Sequence, residues 1–150
     1  MTPRRRVVDV PALAHRSPLP VGVRVGRLLV SSAITGRDDR TGAYPEDPAV
    51  QAENAFRRLR LFLAAAGATT ADVLQVRVYA RAVADRRHLD PAWMVTFPDP
   101  TDRPARHVVV TDVAQFHPLL RFQLEVTVVL PGPVRRAERR LRRLVGAVRR

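Results

Sequence analysis

The chain has 150 residues, enough for one well-packed core, and its 46% hydrophobic and 27% charged residues are the balance of an ordinary globular domain. No window approaches the roughly 18 uninterrupted apolar residues of a membrane span, and the lack of cysteine excludes disulfides, thiolate nucleophiles and cysteine-based zinc sites. All 26 basic residues are arginine, so the net charge of +12 comes without a lysine for a Schiff base, a pyridoxal phosphate anchor or a phosphate-binding loop.

At the start, Arg4-Arg5-Arg6 precedes VVDVPALA, an apolar run broken by Asp9 and Pro11 and too short for a secretory signal. Residues 1–14 are therefore read as an N-terminal arm and the protein as cytoplasmic, with no membrane partner expected. Val23 to Thr35 is predicted to form a hairpin turned at Gly26-Arg27. Gly36 and Gly42 bracket an acidic loop, RDDRTGAYPED, whose composition is that of turns. Asp47-Pro48 is a capping residue followed by proline at a first helical position, and Gly67 suits the left-handed residue that ends a helix. Between them Ala52, Ala55, Phe56, Leu59, Leu63 and Ala66 share one face, with Glu53, Arg57, Arg58 and Arg60 directed elsewhere.

The stretch 73-VLQVRVYA-80 alternates as a strand does, and two further strands are expected over 106–113 and 122–130. A second helix, Asp85 to Phe97, is marked by Leu89, Ala92, Trp93 and Phe97, with Pro91 placed in its first turn. The order β-β-α-β-α-β-β implies an α+β fold with both helices on one face of the sheet. The other face mixes Val, Ile and Leu with Arg and Gln, so a partner must cover it. Further copies of the chain, with clefts where they meet, are the economical solution.

Pro131-Gly132-Pro133 marks a boundary, and residues 131–150 form a basic C-terminal tail with eight arginines and one glutamate. In it Leu141, Leu144, Val145 and Val148 recur at helical spacing among arginines. Nucleic acid is expected as a partner, if at all, only through this tail, residues 134–150.

Four stretches carry a resemblance to a known family: SPLPVGVRVGRLLVSSAITG, QAENAFRRLRLFLAAAGATTADVLQVRVY, PARHVVV and FQLEVTVV. Together they make residues 15–130 similar to the reactive intermediate deaminase (RidA) family. The resemblance implies a chorismate-mutase-like sheet with two helices on one face, a homotrimer with intersubunit clefts, action on imines or enamines, and no cofactor. It also implies that Arg106, in Pro104-Ala105-Arg106, grips a substrate carboxylate in the cleft. A planar guanidinium fork suits that task, although a strand-end arginine on its own is more simply read as paired with Asp102 or Asp112.

Matched residue by residue, Ser32 falls on the family's cleft serine, while Ala33 replaces the glycine after it and Leu19 replaces a tyrosine. Asp90 falls on an asparagine, and Trp93 on that residue's aromatic neighbour one turn on. Gln123 stands where the family has its water-activating glutamate, a role an amide cannot fill. A strand shift of two residues would bring Glu125 there instead, whereas a shift of one would turn the side chain to the other face.

The four histidines, His15, His88, His107 and His117, lack metal-ligand spacing, so no metal is expected. His107 is expected to pack toward the helices. His117, in the loop before Gln123, is the candidate general base because imidazole titrates near neutrality. Three functions stay open: an enzyme acting on an imine, enamine or carbonyl substrate whose carboxylate Arg106 holds; a diverged lyase, cyclase or tautomerase on the same fold; and a non-catalytic ligand-binding or RNA-binding protein.

Overall fold

The computed structural model describes residues 4–14, 16–138 and 141. It is an α+β fold built on one seven-stranded sheet, as the pattern of elements implied. The strands are β1 (Arg6–Val8), β2 (Gly22–Val25), β3 (Leu28–Ser31), β4 (Ile34–Thr35), β5 (Val73–Ala80), β6 (Ala105–Val110) and β7 (Phe122–Val129), and the helices are α1 (Pro48–Ala65) and α2 (Arg86–Thr96). The sheet runs β1-β2-β3-β7-β5-β6, with β4 beside β7. β5 and β6 are parallel and the other pairs antiparallel, because α2 supplies the crossover that a parallel pair needs.

Local chemistry sets the helix ends. Asp47 accepts a hydrogen bond from the Ala49 amide at 2.8 Å, Pro48 opens the first turn, and Gly67 takes φ +71° beyond the last. In α2, Pro91 lies in the second turn and not the first, since the helix already begins at Arg86 after a tight turn over Val83–Asp85. Proline has no N–H, so the Arg87 carbonyl goes without its intrahelical partner.

The expected hairpin turns at Gly26, φ +57°, but it is interrupted after Ser31, and Ile34–Thr35 pairs with β7 instead. Gly36 lets the chain leaving β4 pass close against α1: a Cβ there would collide with the Gln51 backbone.

Alternation along β7 buries Phe122, Leu124, Val126 and Val128 against α1, where Phe56, Leu59, Phe62 and Leu63 close the core. The opposite face carries Gln123, Glu125, Thr127 and Val129. Two expectations need correction here. The first 14 residues are not an arm outside the domain, because β1 pairs with β2 and Val8, Val10 and Leu13 are buried in the core. His107 does not face the helices; parallel pairing beside Arg77 puts it on the opposite face, exposed.

In the tail, residues 133–138 are helical and exposed, as is Leu141. Leu144, Val145 and Val148, and also His15, lie outside the described residues.

Candidate functional site

The residues singled out in the sequence fall into two groups on opposite faces of the sheet. In the first, Leu19, Ser32, Ala33 and Gln123 line one cavity of about 350 Å³, together with Leu13, Tyr44 and Arg58 among others. Strand pairing explains the grouping. Thr35 on β4 lies directly across from Gln123 on β7, and the break between β3 and β4 holds Ser32 and Ala33 at the mouth. Leu19 is 61% exposed at the rim. The Ser32 hydroxyl donates to the Pro20 carbonyl at 2.7 Å, leaving its oxygen lone pairs available as acceptors.

Glu125 is not among the lining residues. It sits two positions farther along the same face, where Tyr79 donates to Oε2 at 3.2 Å and Arg77 Nη1 lies 3.8 Å away. Among the described residues, no aspartate, glutamate or histidine lines the cavity. His117 stands just outside, its ring 4.7 Å from that of Tyr44, and its Nδ1 accepts from the Leu119 amide at 3.2 Å.

Arg58 forms part of the cavity wall, although helical spacing placed it with the outward-facing charges. Its Nε lies 3.0 Å from Asp39 Oδ1, Nη1 donates to the Thr35 carbonyl at 2.8 Å and to the Thr35 hydroxyl, and Nη2 donates to the Ala12 carbonyl at 3.4 Å. Burial pulls the guanidinium below its ordinary pKa, and the Asp39 carboxylate opposes that shift. Gln51 is the second polar group that the sequence reading missed. Fully buried, it donates to the Pro45 and Leu119 carbonyls and accepts from the Arg121 amide, so α1 fixes the loop before β7. A run of acidic loop residues opposite an arginine-rich helix is the one signal that could have pointed to Arg58.

The second group is Arg106 with Asp90 and Trp93. On β6, Arg106 lies beside the fully buried Val76 and so points to the helix face, toward α2. Its guanidinium carbon stands 4.9 Å from the centre of the Trp93 ring, and Nη1 lies 2.8 Å from Asp90 Oδ1. The Asp90 contact is an ion pair without hydrogen-bond alignment. Neither Asp102 nor Asp112 is its partner. Trp93 serves the core as well, packed against Phe56 and Phe97 and 6% exposed.

Among the described residues, nothing accepts a hydrogen bond from the Arg106 side chain, whereas Arg58 donates from both Nη atoms to the Thr35 and Ala12 carbonyls and the Thr35 hydroxyl, its Nε being ion-paired with Asp39 without hydrogen-bond alignment. Arg58 is therefore bound into the fold by its Nη hydrogen bonds, and Arg106, over the Trp93 ring with Nη1 against Asp90, keeps its other donors for an anion.

Comparison with known proteins agrees with this framework. The Endoribonuclease L-PSP family profile matches residues 3–130, which takes in β1. A candidate endoribonuclease from Thermotoga maritima has a similar structure, with 25% identity and a TM-score of 0.74, covering 85% of this chain and 98% of that one. RidA from the Antarctic bacterium Psychrobacter sp. superposes with a TM-score of 0.73 at 24% identity, covering 83% and 100%. Escherichia coli TdcF, solved with bound serine, shares the fold with a TM-score of 0.73 at 20% identity, covering 84% and 99%. A search of curated proteins finds no match. With the profile spanning β1 to β7 and the fold shared with RidA itself, the chain belongs to the RidA family, whose family description is Endoribonuclease L-PSP.

Proposed function

We propose that this protein is a small-molecule enzyme whose substrate, an imine, enamine or carbonyl compound, carries a carboxylate anchored on Arg106 in a cleft between subunits of a homotrimer. The observation that carries this reading is the guanidinium of Arg106, over the Trp93 ring with Nη1 paired to Asp90 and its remaining donors claimed by no described residue. Arg106 lies on the edge strand β6, where a neighbouring subunit can reach it. The cavity holding Ser32 and Gln123 would then come from that neighbour, with Ser32 as hydrogen-bond acceptor and Leu19 and Ala33 as apolar lining.

One observation favours a second reading of the reaction. Among the described residues the cavity lining has no carboxylate or imidazole, and Gln123 can hydrogen-bond to water but cannot take its proton. Hydrolytic deamination is therefore disfavoured against a lyase, cyclase or tautomerase step that needs no activated water. His117, whose ring lies 4.7 Å from that of the lining residue Tyr44, is the candidate base outside the described lining.

The test is ammonia release from enamines generated in situ from serine or threonine. The wild type is expected to be slow, and Gln123→Glu to be faster by roughly 100-fold, the usual scale of general base catalysis. Robust wild-type hydrolysis that survives Gln123→Ala but disappears in Glu125→Gln would overturn the assignment and make Glu125 the catalytic residue.

A further inference from the structure

We propose that Asp90 is a specificity-determining residue: paired with Arg106, it makes the anchor prefer a ligand in which a cationic nitrogen adjoins the carboxylate and discriminate against plain carboxylates. The proposal rests on the reading of Arg106 as a carboxylate anchor and names what that anchor selects.

The argument begins with a charge count. A lone arginine presents one positive charge and accepts any carboxylate. Arg106 with Asp90 Oδ1 at 2.8 Å is neutral as a unit. A carboxylate seated on the remaining donors of the same guanidinium lies within about 4–6 Å of the Asp90 carboxylate, close enough for like charges to disfavour each other. Trp93, 4.9 Å beneath the guanidinium, holds the arginine plane in place, so turning it away from Asp90 would sacrifice that contact.

Asp90 itself is placed to meet a ligand. Its side chain is 55% exposed, against 21% for Arg106, and it has no other ion pair or hydrogen bond among the described residues. Its second oxygen is thus available as an acceptor. When the ligand carries an ammonium or iminium group next to its carboxylate, the carboxylate takes Arg106 and the nitrogen takes Asp90, so that opposite charges alternate. The chemical class this selects is the zwitterionic 2-amino or 2-iminio acid. A 2-oxo acid of the same skeleton keeps the repulsion and lacks the compensating pair, so a hydrolytic product would leave more readily than its iminium precursor.

The experiment uses two probes with one carbon skeleton, L-2-aminobutyrate and 2-oxobutyrate, titrated into the full-length wild type, Asp90→Asn and Arg106→Lys. The wild type is expected to prefer L-2-aminobutyrate. Asp90→Asn is expected to shift the affinity ratio toward 2-oxobutyrate by about fivefold or more, the scale of a partly exposed charge pair. New binding of 2-oxobutyrate by Asp90→Asn alone supports the proposal equally. An unchanged or reversed ratio, with Arg106→Lys still weakening both probes, overturns the role of Asp90 and leaves the anchor standing. Affinities that Arg106→Lys does not lower, or no binding of either probe to any of the three proteins, overturn the anchor and this proposal together. Should Asp90→Asn fail to fold, Asp90→Ser removes the same charge and serves the same comparison.

Discussion

Arg58 and Arg106 are both arginines drawn toward the core, and what separates them is where their donors go. Removing Arg58 takes one of two arginine partners from Asp39, which keeps Arg57, and leaves the Thr35 and Ala12 carbonyls without their guanidinium donors. Arg58→Ala is therefore expected to cost about 1–3 kcal/mol through the lost hydrogen bonds, read by urea denaturation. Arg106→Lys should barely alter stability, since its pair with Asp90 is partly exposed, but should weaken a carboxylate ligand by roughly 1.5–3 kcal/mol through loss of the bidentate fork. Calorimetric titration showing equal affinity for the Lys variant would make Arg106 structural. The place of Arg106, ahead of a β-branched run and within the family's motif, was legible in the sequence. Its partner was not, because Asp102 and Asp112 are near in the chain, whereas Asp90 arrives through the packing of α2 on β6.

Elements whose limits are written in local chemistry could be read directly. Asp47-Pro48 and Gly67 bound α1, and Gly26 turns the β2–β3 hairpin, because caps and tight turns depend on residues next to one another. β1 escaped because it is three residues long, is followed by Asp9 and Pro11, and exists only through pairing with β2 far along the chain. That pairing leads to contrasting expectations for the two ends. Deleting residues 1–14 removes an edge strand and takes Val8, Val10 and Leu13 out of the core, a loss of roughly 5 kcal/mol at the usual worth of buried aliphatic side chains. Truncation after Pro133 removes residues of which the described ones, 134–138 and 141, are exposed, Val134 at 71%, and leaves the buried Leu130 in place. Thermal melts should show a large drop for the first deletion and no change for the second. A drop for the second would mean that the basic tail docks on the fold.

For the molecule as a whole, the decisive feature is that one chain does not bring the two parts of the proposed site together. Gln123 and Arg106 stand on opposite faces of the sheet, with β5 between their strands, so the proposed site requires a second subunit to bring cavity and anchor together. The face bearing Gln123 also leaves Leu28 and Val129, paired across β3 and β7, half or more than a third exposed beside the Arg77–Glu125 pair. A partner burying that face would strengthen a salt bridge that solvent now weakens. The alternation of apolar and polar residues made this uncovered face visible in the sequence, whereas the separation of the two half-sites depends on strand order, which local patterns do not encode. Sedimentation velocity of the full-length protein at micromolar concentration tests the account most directly. A single species at three times the mass of one chain is expected, and a monomer at that concentration would contradict both the assembly and the intersubunit site.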